Sequence, residues 1–307
     1  MALVETFTEA RVATVEDYFA LLKPRVMSLV IFTGLAGIVV APGAIHWMTA
    51  CTALLCIAIG AGASGALNMA YDSDIDALMS RTAARPIPLG RIDRSEALAF
   101  GWMLAAGSVT VMGLFVNYLA AFLLAFTIFF YVHVYTLWLK RRTPQNIVIG
   151  GLAGALPPAI GWAAVTGSLS LAPLVLVAIT FLWTPPHFWA LALFRSDDYA
   201  RAGVPMMPVV KGKRRTRIEI FLYALAMFAA GLAPAAIGLG GVLYLACASL
   251  LGGAFVLSAF AVLMERDEAK EPAARRLFLV SLVYLFALFA SLIVERLFHI
   301  VPLVLWT

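Results

Sequence analysis

Charge is what this chain has least of. Of its 307 residues only 13% are Asp, Glu, Lys or Arg, about half the usual share, while 63% are hydrophobic. A soluble domain has too little interior to absorb that much apolar surface, which excludes a soluble enzyme or binding module. Cysteine is nearly absent as well. Cys51, Cys56 and Cys247 lie inside apolar runs, with no C-x-x-C spacing and no companion histidines, so neither a disulfide framework nor a zinc site is indicated. They read as small residues of the core or the lipid phase. Residues 1–22 set Glu5, Glu9, Glu16 and Asp17 against Arg11. That is neither a basic-then-apolar secretory leader nor an Arg-rich, acid-poor transit peptide, and a cytoplasmic tail is expected. There is no clear internal repeat and no low-complexity segment.

What the chain has in plenty is long apolar runs. Segments of about 20 residues, the length that crosses a bilayer, fall near 26–44, 46–68, 96–115, 117–138, 146–165, 171–193, 218–238, 240–263 and 276–296. The loops between them alternate in character. APGAIH, the turn at Asn117, TGSLS and the Gly-rich stretch at 238–241 carry no Lys or Arg, whereas the other loops and the tail collect 21 of the 22, leaving Arg296 alone on the far side. The net charge of +5 therefore reflects membrane topology and not nucleic-acid binding. The expectation is an all-α polytopic membrane protein, a bundle of about nine spans in one domain over 1–307. Its basic loops and N-terminus face the cytoplasm of a bacterial cell, across the inner membrane.

Two clusters break the apolar pattern, both on the basic face. The first follows the second span: Asn68, Asp72 and Asp76 recur every four residues, so a continuing helix aligns them on one face, with Asp74 pointing elsewhere. A carboxylate is costly at mid-bilayer, which assigns the row to the end of the helix, turned toward the bundle interior or a wet cavity. Stacked carboxylates and an amide oxygen suit Mg²⁺, which keeps several waters and commonly bridges to substrate phosphate. Arg81 and Arg85, also four apart, follow before Pro86 and Pro88, and their planar forks match phosphate or carboxylate oxygens. Arg91 and Arg94 read as topology-setting charges. The second cluster, after the sixth span, holds Asp197 and Asp198, with Lys211 and Lys213 as phosphate contacts. His187 stands in an apolar span just after Pro185 and Pro186, where a break would border a cavity. His46 and His299 read as interfacial, and His133 lies on an aromatic background.

These residues resemble the UbiA superfamily of intramembrane prenyltransferases, and within it the haem-directed branch, over nearly the whole chain from LLKPR at Lys23 to the ninth span. The resemblance rests on N-x-x-x-D-x-x-x-D at Asn68, Asp72 and Asp76, on S-R-T-x-x-R-P at Arg81 and Arg85, on RRTPQNIVIGGLAGALPP at 141–158, on TPPHFWALAL around His187, and on DDYARAGVPMMPVVKG from Asp197. It implies a central cavity in which Mg²⁺, held by Asn68, Asp72, Asp76 and Asp198, binds the diphosphate of farnesyl diphosphate. The farnesyl group would pass to a vinyl group of protohaem IX, with water addition, giving haem O and diphosphate. Asp72, Asp76, Arg81 and Arg85 would be catalytic. Asn68, Lys23, His187, Asp198, Tyr199 and Lys211 would bind substrate, His187 being the candidate haem contact and axial iron ligand. A downstream haem A synthase or oxidase-assembly protein would be a partner. One departure stands out: four positions after Asp198 comes Ala202, and after Asp197 comes Arg201, so the second D-x-x-x-D of aromatic-acid prenyltransferases is missing, which favours the haem-directed branch. An aromatic-acid or quinone-precursor prenyltransferase and a secondary transporter are the competing readings.

Overall fold

A computed structural model describes residues 13–267 and 269–303, so Glu5, Glu9 and Arg11 of the tail lie outside the described residues. All regular structure among the described residues is helical. The chain enters through α1 (Val15–Leu21), which meets α2 (Pro24–Val40) at 54°. It continues through α3 (Trp47–Tyr71), the short α4 (Ser73–Leu78), α5 (Arg94–Phe115), α6 (Tyr118–Leu139), α7 (Asn146–Thr166) and α8 (Leu171–Phe194). Two short helices follow, α9 (Ser196–Arg201) and α10 (Met207–Val210), then α11 (Gly212–Ala236), α12 (Val242–Leu263) and α13 (Pro272–Leu297). Eight of these are long and apolar enough to cross a membrane, and α1 with α2 makes a ninth when the bent pair is taken as one span. The expected spans are all present.

Helix boundaries follow local chemistry. Thr14 and Asp17 form a reciprocal capping box at the start of α1. The polar turn before α6 rests on Asn117, whose Oδ1 accepts from Ala120 N at 2.8 Å while its Nδ2 donates to Ala163 O at 2.8 Å, pinning α6 to the far end of α7. Consecutive spans pack side by side, and α13 returns to α2, which closes a ring. Three glycines let α2 and α7 nearly touch: a Cβ on Gly161 would lie 2.2 Å from Gly34 O, and one on Gly37 would lie 2.1 Å from Pro158 O. Leu114, Leu250, Leu257 and Leu279 point outward and stay exposed, as the lipid-facing side of a membrane protein requires.

Two local expectations are corrected. Pro185 and Pro186 do not break their helix: α8 runs through both, because membrane helices tolerate the lost N–H donors and tertiary bonds hold the segment, including Trp183 Nε1 to Ser281 O at 2.8 Å. Arg81 and Arg85 are not neighbours on a helix either. After α4 the chain runs through successive turns to Asp93, with Pro86 and Pro88 preventing a helix from resuming.

Candidate functional site

The acid row survives the transition from α3 to α4. Asp72 caps α3, and although the helix is interrupted at that residue, Asp72 N still bonds to Asn68 O at 2.9 Å and Asp76 N to Asp72 O at 2.8 Å. The three side chains thus keep one face, and all are buried, Asp72 completely. Asp74 points the other way and is exposed, as its position in the repeat requires.

Each acidic group meets a base from a different part of the chain. Lys140, at the end of α6, donates to Asp72 Oδ2, and Asn68 Nδ2 donates to the same oxygen at 2.6 Å. Arg85 reaches Asp76 Oδ2 at 2.5 Å. Lys23, at the junction of α1 and α2, donates to Asn68 Oδ1 at 2.6 Å. It does so from a left-handed conformation (φ 52°) that is costly for a lysine, and such backbone strain concentrates at functional sites. Asn68 therefore turns its oxygen to Lys23 and its amide hydrogens to Asp72, orienting that carboxylate. Arg141 brings a further guanidinium to 3.7 Å from Asp72 Oδ1, an oxygen that is buried with no hydrogen bond in the structure.

Lys140 and its neighbours owe their alignment to a rare winding. From Phe130 to Leu139, α6 is π-helical, with Thr136 Oγ1 bonding back to Tyr131 O and Lys140 N to Tyr135 O, both over five residues. In an ordinary helix the step of nine positions from Tyr131 to Lys140 spans about two and a half turns and would point the two side chains apart. The wider π turn brings nine residues close to two whole turns, so Tyr131, Thr136 and Lys140 share a face. Thr136 Oγ1 accepts from Asn68 Nδ2 at 3.1 Å. Lys140, Thr136 and the two tyrosines, Tyr131 and Tyr135, went unremarked as site residues in the sequence, where Lys140 read only as a topology charge.

The second cluster joins the first across the same rim. Ser80, just past α4, donates to Asp198 Oδ2 at 2.7 Å, and Arg201 and Arg195 flank that carboxylate, Arg195 at 3.8 Å. Burial raises and the Ser80 and arginine contacts lower the Asp198 carboxyl, with a net shift below its usual range. Tyr199 and Arg81 both lie within electrostatic reach of Tyr135, as Asp72 does. Lys211 is exposed and stays apart from this network, and Lys213 pairs with Glu271 at 3.3 Å. Arg91 pairs with Asp17 at 3.2 Å and Arg94 lies over the Tyr71 ring, in keeping with structural roles. His187 is sandwiched between the Trp183 and Phe278 rings at 4.3 and 4.5 Å, with Nδ1 2.6 Å from Ser281 Oγ. It shares no hydrogen bond with the acid row among the described residues.

Beyond the polar rim, a narrow apolar cleft of about 70 Å³ runs between α2, α3, α6 and α7. Ser64 lines it one turn from Asn68, and Tyr131, Met27, Ile128, Gly60 and Gly154 continue the lining. The basic rim thus adjoins an apolar cleft, with Ser64 and Tyr131 on the side nearest the acid row. Among the described residues no three His, Cys, Asp or Glu side chains gather into a metal cage. The unbonded Asp72 Oδ1, with Asp76 one turn further, nonetheless offers hard oxygen donors of the kind a divalent cation takes together with water and phosphate.

Comparison with known proteins points the same way. The profile of the UbiA prenyltransferase family matches residues 30–292. The chain is 60% identical over 291 residues to a protohaem IX farnesyltransferase of Parvibaculum lavamentivorans, covering 94% of this chain and 92% of that protein. It is likewise 60% identical over 288 residues to one of Bradyrhizobium diazoefficiens, with 94% and 92% covered. Among solved structures, digeranylgeranylglyceryl phosphate synthase has a similar fold at 17% identity, with a TM-score of 0.74 over 91% of this chain and 98% of that one. A UbiA homologue from Archaeoglobus fulgidus bound to GPP and Mg²⁺ matches at 17% identity and a TM-score of 0.63, over 91% and 99%.

Proposed function

The chain belongs to the UbiA prenyltransferase family, and from that premise we propose that it transfers a farnesyl group from farnesyl diphosphate to a vinyl group of protohaem IX, with water addition, releasing haem O and diphosphate. The observation that carries the reading is the buried row of Asn68, Asp72 and Asp76, ringed by Lys23, Arg85 and Lys140, at the mouth of the apolar cleft. The two relatives named as acting on protohaem IX, at 60% identity, favour haem over an aromatic acid as acceptor.

Asp72 and Asp76 would hold Mg²⁺, with Asn68, whose Oδ1 is taken by Lys23, orienting the Asp72 carboxylate, a role supported by the Archaeoglobus homologue's pairing of that ion with a prenyl diphosphate. When bound, the ion supplies positive charge to the diphosphate oxygens. The chain's own bases do the rest of the electrostatic work. Lys140, Arg85 and Lys23 face the leaving diphosphate and stabilise the charge that grows on it as the allylic C–O bond breaks. The cleft from Ser64 to Gly154 seats the isoprenoid chain and keeps water from the carbon that becomes electron-deficient. That carbon bonds to the terminal carbon of the haem vinyl. The positive charge moves to the carbon next to the porphyrin, and water adds there with loss of a proton. Arg81 and Tyr199, near Tyr135, and His187 in its aromatic sandwich are the groups proposed to meet the porphyrin, and Asp198 braces the far side of the rim. The basic face is proposed to be cytoplasmic, in a bacterial inner membrane, with a haem A synthase or oxidase-assembly protein consuming the product.

The test is incubation of the purified protein in lipid with protohaem, farnesyl diphosphate and Mg²⁺, with mass analysis of the extracted haem. A hydroxyethylfarnesyl adduct, lost in Asp72→Ala and Asp76→Ala, is expected. Unchanged protohaem with an intact, folded protein would overturn the reading.

A further inference from the structure

Two short contacts meet at the Ser281 hydroxyl on α13. Its Oγ stands 2.6 Å from Phe278 O and 2.6 Å from His187 Nδ1 on α8. A hydroxyl has one proton to give, and a carbonyl oxygen has none. If Ser281 gave its proton to Nδ1, Oγ and the Phe278 carbonyl would face each other at 2.6 Å as two acceptors. Both contacts are hydrogen bonds in one arrangement only: Ser281 donates to Phe278 O, and His187 donates its Nδ1–H to Ser281 Oγ. No carboxylate is paired with this buried ring among the described residues, so it is neutral and Nδ1 holds its single N–H. Nε2 is left as a lone pair.

The ring itself is held on every other side. Trp183 and Phe278 sandwich it at 4.3 and 4.5 Å, within 18° and 23° of parallel, and Phe188 meets it edge-on at 5.0 Å. It cannot turn to offer Nδ1 instead. His187 keeps 7% of its surface open, and Nε2 makes no hydrogen bond among the described residues. A side chain more than nine-tenths buried thus carries one polar atom without a partner, and that atom is a lone-pair donor. Trp183 Nε1 also donates to Ser281 O at 2.8 Å, so the main chain of Ser281 ties α13 to α8 whether or not its hydroxyl is present.

We propose that Ser281 is a positioning residue, which fixes the tautomer of His187 so that Nε2 is presented as a ligand to the iron of protohaem, an inference that rests on the haem acceptor proposed above. Histidines that bind metals generally donate their other ring N–H to an oxygen acceptor, which sets both tautomer and ring orientation. Here the acceptor is a hydroxyl whose own proton is committed to a carbonyl. The relay from Nδ1–H through Oγ–H to Phe278 O polarises in one direction, each bond strengthening the other. A brace between α8 and α13 would need no such relay, because the Trp183 bond already supplies one.

Two porphyrins separate the roles. Ferric protohaem IX and metal-free protoporphyrin IX share one periphery, and only the first has an iron to ligate. Both are titrated onto the full-length protein in detergent, with affinity and the haem Soret band read by absorbance alongside thermal unfolding. Ser281→Ala is expected to weaken haem binding by about tenfold to a hundredfold, the range for removing the outer partner of a ligating histidine. Its Soret band should move toward that of His187→Ala, and its affinity for the metal-free porphyrin should stay near that of the parent. Ser281→Thr, which keeps the hydroxyl, is expected to recover most of the haem affinity; if it does not fold, the two porphyrins decide on Ser281→Ala alone. Equal loss of both porphyrins in Ser281→Ala, or haem affinity and Soret band unchanged, would overturn the inference and leave the proposed function standing. So would a parent whose Soret band matches that of His187→Ala. A parent that binds neither porphyrin would instead remove the haem acceptor, and this inference with it.

Discussion

Lys140 and Asp72 stand 68 residues apart in the chain and are joined directly, ammonium to carboxylate, where the end of one span meets the end of another. The contact depends on two departures from regular helix: the interruption at Asp72 between α3 and α4, and the π winding of α6 that turns Lys140 onto the face of Tyr131 and Thr136. Asp72 is fully buried and Lys140 largely so, which makes the pair expensive to break and sensitive to what replaces it.

Replacing Lys140 by Met keeps the aliphatic stem and removes the charge. If Lys140 faces the leaving diphosphate, turnover should fall on the order of 10²-fold, the scale of losing one preorganised stabiliser of developing charge. Lys140→Arg should retain more activity than Lys140→Met. Steady-state kinetics on folded variants checks this, and equal activity of Lys140→Met and the parent would remove Lys140 from the chemistry.

Gly154 gives a cleaner probe of the apolar cleft. A Cβ there meets nothing within 4 Å, and the residue lines the slot. Gly154→Leu should therefore fill the slot and leave the fold in place. The expected outcome is a raised KM for farnesyl diphosphate with little change for the shorter geranyl diphosphate, and an unfolding temperature near that of the parent. Equal effects on both substrates would mean that the isoprenoid lies elsewhere.

Much of this architecture was readable in the residues. The spans and the four-residue spacing of the acid row follow from hydropathy and helix period, and the structure keeps them. What could not be read depends on long-range geometry. The π winding has no periodic trace in FYVHVYTLWL, so Lys140 looked like any loop charge. Pro185 and Pro186 suggest a break to any rule based on lost N–H donors, yet packing on α13 carries the helix through. Asn68 looked like an oxygen ligand, and only the contact from Lys23 shows which way its amide faces.

The crossing of α2 and α7 predicts a stability effect far from the acid row. Gly161→Ala would drive a Cβ to 2.2 Å from Gly34 O, backbone against backbone, and only separation of the two helices relieves it. A loss of about 1–3 kcal/mol is expected for such overpacking. The thermal midpoint in detergent should fall, whereas Gly107→Ala, with nothing within 4 Å of its Cβ, should leave it nearly unchanged.

Arg141 also donates to both oxygens of Asp74, each at 2.7 Å, and this contact sets a pH dependence. Its hydrogen bonds hold the Asp74 carboxyl down to about 2, below the ordinary 3.8. A depressed folded-state value means that the pair's stabilisation is fully present above the unfolded value and is lost as pH falls through about 2. The stability difference between the parent and Asp74→Asn should accordingly be the same at pH 7 and pH 5. A difference that vanishes by pH 5 would show that Arg141 does not hold this carboxylate in solution.

The placement of bases on the acids makes metal and diphosphate interdependent. In the structure Asp72 is engaged by Lys140 and Asp76 by Arg85, and Lys23 lies within reach of both cations. A divalent cation arriving alone must displace these groups and then sit among them, against like charge. Diphosphate changes that balance, because it draws the lysines and arginine to its own oxygens and frees the carboxylates. Calorimetry should therefore find Mg²⁺ binding weakly by itself and at least tenfold more tightly with inorganic diphosphate, and linkage requires the same factor for diphosphate in the presence of Mg²⁺. Lys140→Gln should move the two single-ligand affinities in opposite directions, raising that for Mg²⁺ alone and lowering that for diphosphate. A variant in which both fall would show that Lys140 holds the site together without competing for it.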